Sequence, residues 1–384
     1  MAQRTQPGRF SHVGLRNWKN FTAVNIDLPA RVFLYGPNAA GKSNFLDAFR
    51  FLRELATPGG GFQEAVRRRG GVSAIRCLAA RQRSDIEIHV TVDLAGKSWG
   101  YRLAWRQDPQ RKPVVTHETV TCDGVEILCR PSQDDNQDPA RLKQTYIEQV
   151  NANREFRDLA EFFASVQYLH IVPQLVREPE RSVGRVHDPF GGDFLERIAK
   201  TPEKTRNARL RRIQDALKVA VPQLSEISLW RDERGIPHLR GKYEHWRPHG
   251  AWQNEDQFSD GTLRLMGLLW ASMEGNGPLL LEEPELSLHP EIVRYLPQMF
   301  ARVQRRTERQ FIISSHSPEI LLDEDLDPAE VLRLRPGREG TTIESAAQIS
   351  DIRLQLEDGL SLADAIVAHT GPPEPQQLAL FEGL

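Results

Sequence analysis

Cysteine is scarce in this chain. Cys77, Cys122 and Cys129 are scattered through 384 residues and form no Cys-x-x-Cys pair. That pattern excludes a disulfide framework and a cysteine-based zinc site, and it predicts a reduced, cytoplasmic protein. Long apolar runs are missing as well. None approaches the ~18 residues that cross a bilayer, so no membrane association is expected. The first ten residues are polar and lack the apolar core of a secretion signal. A dominant charge is also absent: 50 Lys and Arg face 52 Asp and Glu, a formal net charge of −2. The chain as a whole therefore carries no nucleic-acid footprint, and any such binding must come from a local patch. What remains is an ordinary soluble composition, 39% hydrophobic and 27% charged. It supports a sizeable core and, at this length, more than one lobe.

The most informative segment is Gly36-Pro37-Asn38-Ala39-Ala40-Gly41-Lys42-Ser43. Arg31 to Tyr35, just before it, is a short apolar run that reads as a buried strand. Asn44 to Leu52, just after it, is apolar at helical spacing. Strand, glycine loop and helix are the context a phosphate-binding loop needs, and a chance Gly/Lys/Ser loop would lack those flanks. Gly36 and Gly41 let the backbone curl so that its N–H groups point at phosphate oxygens, and the helix N-terminus adds its positive dipole end. Lys42 is expected to reach the β- and γ-phosphates and the Ser43 hydroxyl to ligate Mg2+.

Two short strands, Val13 to Trp18 and Ala23 to Leu28, precede the loop. From Asp85 to Leu128 apolar and polar residues alternate between turn signals such as Asp123-Gly124, which predicts an antiparallel sheet. Pro131 to Pro139 reads as a surface loop. Residues 140–220 read as helices interrupted by proline. Ile227 to Trp230 and Ile236 to Tyr243 form a hairpin pattern, Thr262 to Met273 an apolar helix, and Glu291 to Arg306 a further helix.

Leu279-Leu280-Leu281-Glu282-Glu283-Pro284-Glu285 is a buried strand ending in acids. Glu282 at that point can hold Mg2+ through water, and Glu283 can orient or deprotonate an attacking water. A solvated acidic turn would not follow so apolar a strand. A second buried strand, Phe311 to Ile313, ends in Ser314-Ser315-His316-Ser317, where α/β sheets place their ligand sites. His316 there is a candidate γ-phosphate sensor, whereas a lone histidine is more often structural. Ser259-Asp260-Gly261 opens the apolar helix at Thr262; it is either a helix cap alone or a phosphate-facing helix N-terminus.

The order of these motifs resembles the ABC-type ATPase heads. It looks like the heads of the RecF, SMC and OLD-like ATPases, often grouped with AAA proteins, and the segment Leu15 to Phe21 is similar to the start of those heads. The resemblance implies an α/β fold, a P-loop NTPase head with an antiparallel β subdomain and a compact helical insert. It implies ATPase lobe I over 1–130, the insert over 131–224, lobe II over 225–345, and a C-terminal helix and tail over 346–384. It also implies ATP and Mg2+ as cofactors, with Gly36 to Asn44 as the nucleotide cradle. In such heads two subunits sandwich each nucleotide, so Ser259, Asp260 and Gly261 of one chain would face the γ-phosphate held at Lys42 of the other. By the same resemblance Glu283 is the base and His316 the sensor. Two departures stand out. Glu282 occupies the place where the family usually has Asp, and Ser-Asp-Gly-Thr replaces Ser-Gly-Gly, which argues against a transporter subunit.

No heptad run survives the prolines between Ser43 and Ser259, so the insert is expected to be compact rather than a coiled-coil arm. Glu203 to Ala220 carries six basic residues, either a DNA-backbone contact or a solvated helix face. Arg67-Arg68-Arg69 is a second basic cluster, read as near the nucleotide or the dimer cleft. Gln377-Leu378-Ala379-Leu380-Phe381, behind a proline-rich spacer, resembles the peptide with which replication and repair proteins bind the sliding clamp; docking on the chain's own surface or on an operon partner is the alternative. The resulting functional expectation is an ATP-driven homodimeric switch that regulates a DNA transaction or a separately encoded nuclease in phage defence. The alternative is a RecF-like repair ATPase that clamps DNA. The chain shows no nuclease signature of its own.

Overall fold

The structure is a computed structural model that describes residues 7–81, 85–182, 188–244 and 251–371. The chain divides into two compact units. Unit 1 comprises Met1–Gln167, Asn276–Leu280 and Pro297–Leu384; unit 2 comprises Tyr168–Gly275 and Leu281–Leu296. The chain passes from unit 1 to unit 2 after Gln167 and returns to unit 1 twice.

Unit 1 begins with β1 (Gly8–Trp18), β2 (Phe21–Asp27) and β3 (Arg31–Tyr35), followed by the helix Lys42–Ala56. Then come β4 (Ile86–Leu94), β5 (Lys97–Gln107), β6 (Pro113–Cys122) and β7 (Val125–Arg130). They form an antiparallel sheet of order β2-β1-β4-β5-β6-β7. The alternation legible in the sequence is realised on one face: Ile86, Ile88, Val90 and Val92 of β4 are fully buried. Ala95-Gly96 and Asp123-Gly124 turn the hairpins, all four with positive φ, as the right-handed twist of paired strands requires.

β8 (Gln167–Leu169), β9 (Leu224–Arg231), β10 (Pro237–Tyr243), β11 (Ala251–Asn254), β12 (Leu279–Glu282), β13 (Phe311–Ser315), β14 (Val331–Arg335) and β15 (Thr342–Ser345) complete the strands. In unit 1, β13 and β14 flank β3, both parallel to it, and β15 adds an antiparallel edge. Val32 to Leu34 and Phe311 to Ile313 are at most 1% exposed, as strands covered on both faces should be. The helix Lys42–Ala56 is tied to the antiparallel sheet by aromatic side chains. The Phe10 and Phe49 ring centroids lie 4.7 Å apart, and Phe51 stacks on Trp105 at 5.1 Å. Each such buried ring contributes roughly 1.5–3 kcal/mol, so the helix that starts at the phosphate loop is held firmly.

One expectation is revised here. Pro131 to Pro139 is no simple surface loop. Ser132 and Asp135 form a capping box for the short helix Gln133–Gln137, and Asp135 is buried beside Arg130. All five N–H groups of Arg130 are satisfied by Asp135, Glu118 and the carbonyls of Arg141 and Gln144. Arg67, Arg68 and Arg69 form ion pairs inside unit 1. Arg69 bridges Asp47 and Glu54 on the phosphate-loop helix at 2.8 and 2.6 Å, and Arg67 and Arg68 meet Glu64.

Unit 2 contains the three-stranded antiparallel sheet β11-β10-β9, which includes the expected hairpin. The basic helix Glu203–Ala220 packs on it through Leu210, Ile213 and Leu217. The apolar helix Asp260–Ser272 lies beside it, and the Arg209 guanidinium sits 5.2 Å from the Trp270 ring centroid. The helix expected over 291–306 is broken into Pro290–Val293 and Leu296–Thr307. Pro297 explains the break: it has no N–H to donate, its ring would clash with the Val293 carbonyl, and it suits the first turn of a new helix.

Candidate nucleotide site

The phosphate loop joins β3 to its helix in unit 1, as the flanking pattern required. Ala39 (φ 63°) and Gly41 (φ 96°) take left-handed conformations that curl the loop. Gly41 has a second constraint, since a Cβ there would fall 2.1 Å from Asn20 Nδ2. At Gly36 a Cβ would fall 2.7 Å from the Leu334 carbonyl of β14. Lys42 is 6% exposed and its Nζ donates to the carbonyls of Gly36 (2.8 Å) and Pro37 (3.1 Å). The ammonium is thus held at the mouth of its own loop, where a phosphate chain can take over its hydrogen bonds. Ser43, one residue into the helix, is exposed.

Asn20 is a residue that sequence reasoning did not single out. It lies in the β1–β2 turn, donates to the Ala40 carbonyl (2.9 Å) and Thr341 Oγ1 (2.7 Å), and accepts from Asn44 Nδ2 (2.8 Å). Trp18 Nε1 donates to the Asn44 carbonyl at 2.8 Å. The opening strand pair therefore braces the far side of the loop. The one sequence signal was the likeness of Leu15 to Phe21 to the start of related heads. Thr341, more than three hundred positions downstream, had none.

His316 belongs to the same unit. Ser315 pairs with Tyr35 in the β13–β3 register, so the chain leaves β13 at His316 beside the start of the loop at Gly36. Tyr35 Oη donates to the His316 carbonyl at 3.4 Å, and the His316 side chain is exposed. Ser314 and Ser315 are buried, and Ser315 Oγ accepts from Ser317 N at 3.0 Å.

The acid pair and the Ser259 segment belong to unit 2. Glu282 ends β12. Glu283 takes φ 44°, an unusual conformation for a non-glycine residue. Tyr168 Oη donates to Glu282 Oε2, and His170 Nδ1 lies 3.2 Å from the Glu282 carbonyl. Ser259 caps the helix Asp260–Ser272, its Oγ accepting from Thr262 N at 3.2 Å. Arg177 reaches both the Asp260 carboxylate (2.5 Å) and the Phe258 carbonyl (2.7 Å). A Cβ on Gly261 would fall 2.5 Å from the Ser287 carbonyl, so the cap and the chain after the acids are packed together. Arg264, one turn into that helix, faces the same acids. Burial lowers its pKa, and the carboxylates of Asp260, Glu283 and Glu285 act in the opposite direction. Leu169, Ile171, Leu268 and Leu281 line a small cavity beside Arg264 and the acid pair.

Among the described residues no group of three or more His, Cys, Asp or Glu forms a metal cage. Mg2+ does not need one: it takes one or two protein oxygens and completes its shell with phosphates and water. The Ser43 hydroxyl and the Glu282 carboxylate are hard oxygen donors of that type. No helix among the described residues is long and apolar enough to cross a membrane.

A glycine loop on a parallel strand, a histidine at the end of the adjacent strand and a strand-end acid pair define an ATPase head of the ABC/AAA type, of the RecF, SMC and OLD-like class. Residues 31–323, well over half of the chain, match the family described as AAA domain, putative AbiEii toxin, Type IV TA system, and the chain belongs to that family. Two solved structures share the fold. An Smc head domain with a coiled coil and joint from Pyrococcus yayanosii is 11% identical with a TM-score of 0.52, covering 94% of this chain and 99% of that one. An Smc head bound to the C-winged helix domain of ScpA is 12% identical with a TM-score of 0.51, covering 87% of this chain and 96% of that one. Among curated proteins, the chain is similar to Endonuclease GajA of Bacillus cereus (strain VD045), 33% identical over 87 residues, 23% of this chain. It is also similar to the DNA replication and repair protein RecF of Roseiflexus castenholzii (strain DSM 13941 / HLO8), 41% identical over 52 residues, 13% of this chain. Each of these two matches spans 13% of the relative's own length.

Proposed function

We propose that the chain binds and hydrolyses ATP and works as a nucleotide-driven switch. The observation that carries this reading is the phosphate loop: left-handed turns at Ala39 and Gly41, an immobilised helix start, and Lys42 turned toward the loop carbonyls. The loop Gly36 to Asn44 cradles the phosphates through its backbone N–H groups, to which Pro37 contributes none, and Lys42 offsets their charge. Mg2+, held through Ser43 and Glu282, would withdraw charge from the transferred phosphoryl group. Glu283 orients and deprotonates the attacking water, and His316 reads whether a γ-phosphate is present.

Ser259, Asp260 and Gly261 then serve a second copy of the chain, completing the site at its Lys42, so that ATP closes a homodimer and hydrolysis loosens it. The output is regulation of a DNA transaction or of a separately encoded nuclease in phage defence. The similarity to a protein named an endonuclease supports that direction, as does a family description that names a toxin. A RecF-like repair role is the second reading, favoured by the 41% identity to RecF over 52 residues. Co-purification of a nuclease separates the two.

Lys42→Ala tests the core of the reading. Removing the ammonium should abolish binding of a fluorescent ATP analogue and phosphate release while leaving the melting temperature near that of the wild type. A Lys42→Ala protein that binds and turns over ATP like the wild type would rule the reading out.

A further inference from the structure

We infer that Tyr168 is a positioning residue for Glu282, holding this longer acid in one rotamer for the divalent cation that accompanies the nucleotide. The inference rests on the ATPase reading above.

β8 is the neighbour of β12 in its sheet, which brings Tyr168 alongside the last residue of β12. Tyr168 is 8% exposed, and a buried phenol requires a hydrogen-bond acceptor. Its hydroxyl donates to Oε2 of Glu282. One residue further along the chain from Leu169, His170 sits with Nδ1 3.2 Å from the Glu282 carbonyl. Main chain and side chain of the same acid are thus each met from this neighbouring segment.

The chemistry explains why such a hold is useful here. Glutamate has one methylene more than aspartate and therefore one more torsion to fix. An unsupported glutamate at a strand end samples several rotamers, and a cation bound through it would have to select one of them. A phenol bonded to one carboxylate oxygen makes that selection in advance and directs the other oxygen. The bond lies next to an apolar wall of Leu169, Ile171, Leu268 and Leu281, where a charge-assisted hydrogen bond is stronger than in water. Outer partners that orient a metal ligand in this way typically change metal affinity 10–100-fold when removed.

Four full-length proteins test the role: wild type, Tyr168→Phe, Glu282→Asp and the double variant. Phenylalanine removes one oxygen and keeps the ring packing. The primary readout is binding, not turnover: fluorescent ATP-analogue affinity titrated with Mg2+, and in EDTA. Tyr168→Phe should raise the half-saturating Mg2+ concentration about tenfold and leave affinity in EDTA unchanged. Aspartate is too short to meet the phenol, so Tyr168→Phe should have no further effect in the Glu282→Asp background. An unchanged Mg2+ titration for Tyr168→Phe overturns the role. So does the same shift in both backgrounds, or an equal loss of affinity in EDTA, either of which marks a packing effect. Wild-type protein that binds no nucleotide would sink the ATPase reading itself, a result distinct from these.

Discussion

At Glu148 burial works against ionisation. Its carboxylate accepts from Phe62 N (2.5 Å) and Thr145 N (3.1 Å), joining the segment after the phosphate-loop helix to the segment after β7. Burial is the largest influence and raises its pKa from 4.5 to about 7, although the two N–H groups pull it down. The folded chain therefore keeps a proton that the unfolded chain releases between pH 4.5 and about 7. By linkage, the contribution of this residue to stability is greatest at low pH, declines as pH rises through that window, and is level above it. Melting temperatures of wild type and Glu148→Gln at pH 5 and pH 8 check this. The variant should lose less stability than the wild type on going to the higher pH, and an identical loss would remove Glu148 as the cause. Other single residues show how unevenly the site was legible. Lys42 and Ser43 stand in a motif whose spacing encodes its chemistry. Asn20 had only the likeness of Leu15 to Phe21 to point to it, because its role comes from a turn brought against Gly41 by strand pairing.

Elements carry the next level of specification. β3, β12 and β13 were readable because covered strands must be continuously apolar, and their ends could be located because acids or Ser-His follow at once. The antiparallel strands announced themselves by alternation. The segment after β7 was not readable, because a polar, proline-bounded stretch has no periodic signal and its anchor is a long-range ion network. Glu118, Arg130 and Asp135 are all fully buried, and Glu118 also accepts from Tyr101 Oη and from the N–H groups of Tyr146 and Ile147. Burial raises the pKa of Glu118, while the Tyr146 N–H and the Arg130 charge hold it down. Arg130→Met should leave two buried carboxylates uncompensated and cost about 3–5 kcal/mol. Urea unfolding measures it, and a loss below ~1 kcal/mol would show the network to be dispensable.

Across the whole molecule, Gly36 to Asn44 and His316 belong to the first unit, and Ser259 to Gly261, Glu282 and Glu283 to the second. The proposed dimer makes a prediction at this scale. Glu283→Gln removes the base and keeps the size of the side chain, so the variant should bind ATP, hydrolyse it poorly and accumulate as a dimer in light scattering. A Glu283→Gln protein that stays monomeric with ATP would contradict the shared site. The basic helix Glu203–Ala220 keeps Lys204, Arg211 and Arg212 exposed, so both readings of it stand within the proposal. The clamp-like peptide Gln377 to Phe381 lies outside the described residues.

The sequence by itself determined the family of this protein, through a phosphate loop with its lysine and serine, an acid pair and a histidine at a strand end. It could do so because each motif is local and its spacing is dictated by backbone geometry around a phosphate or a strand terminus. Only the tertiary structure decided what supports those residues. Asn20, held by Thr341, reaches the phosphate loop, Arg69 braces its helix, and Tyr168 meets Glu282, through contacts between residues far apart in the chain. Such partners depend on strand order and register, which no local pattern records.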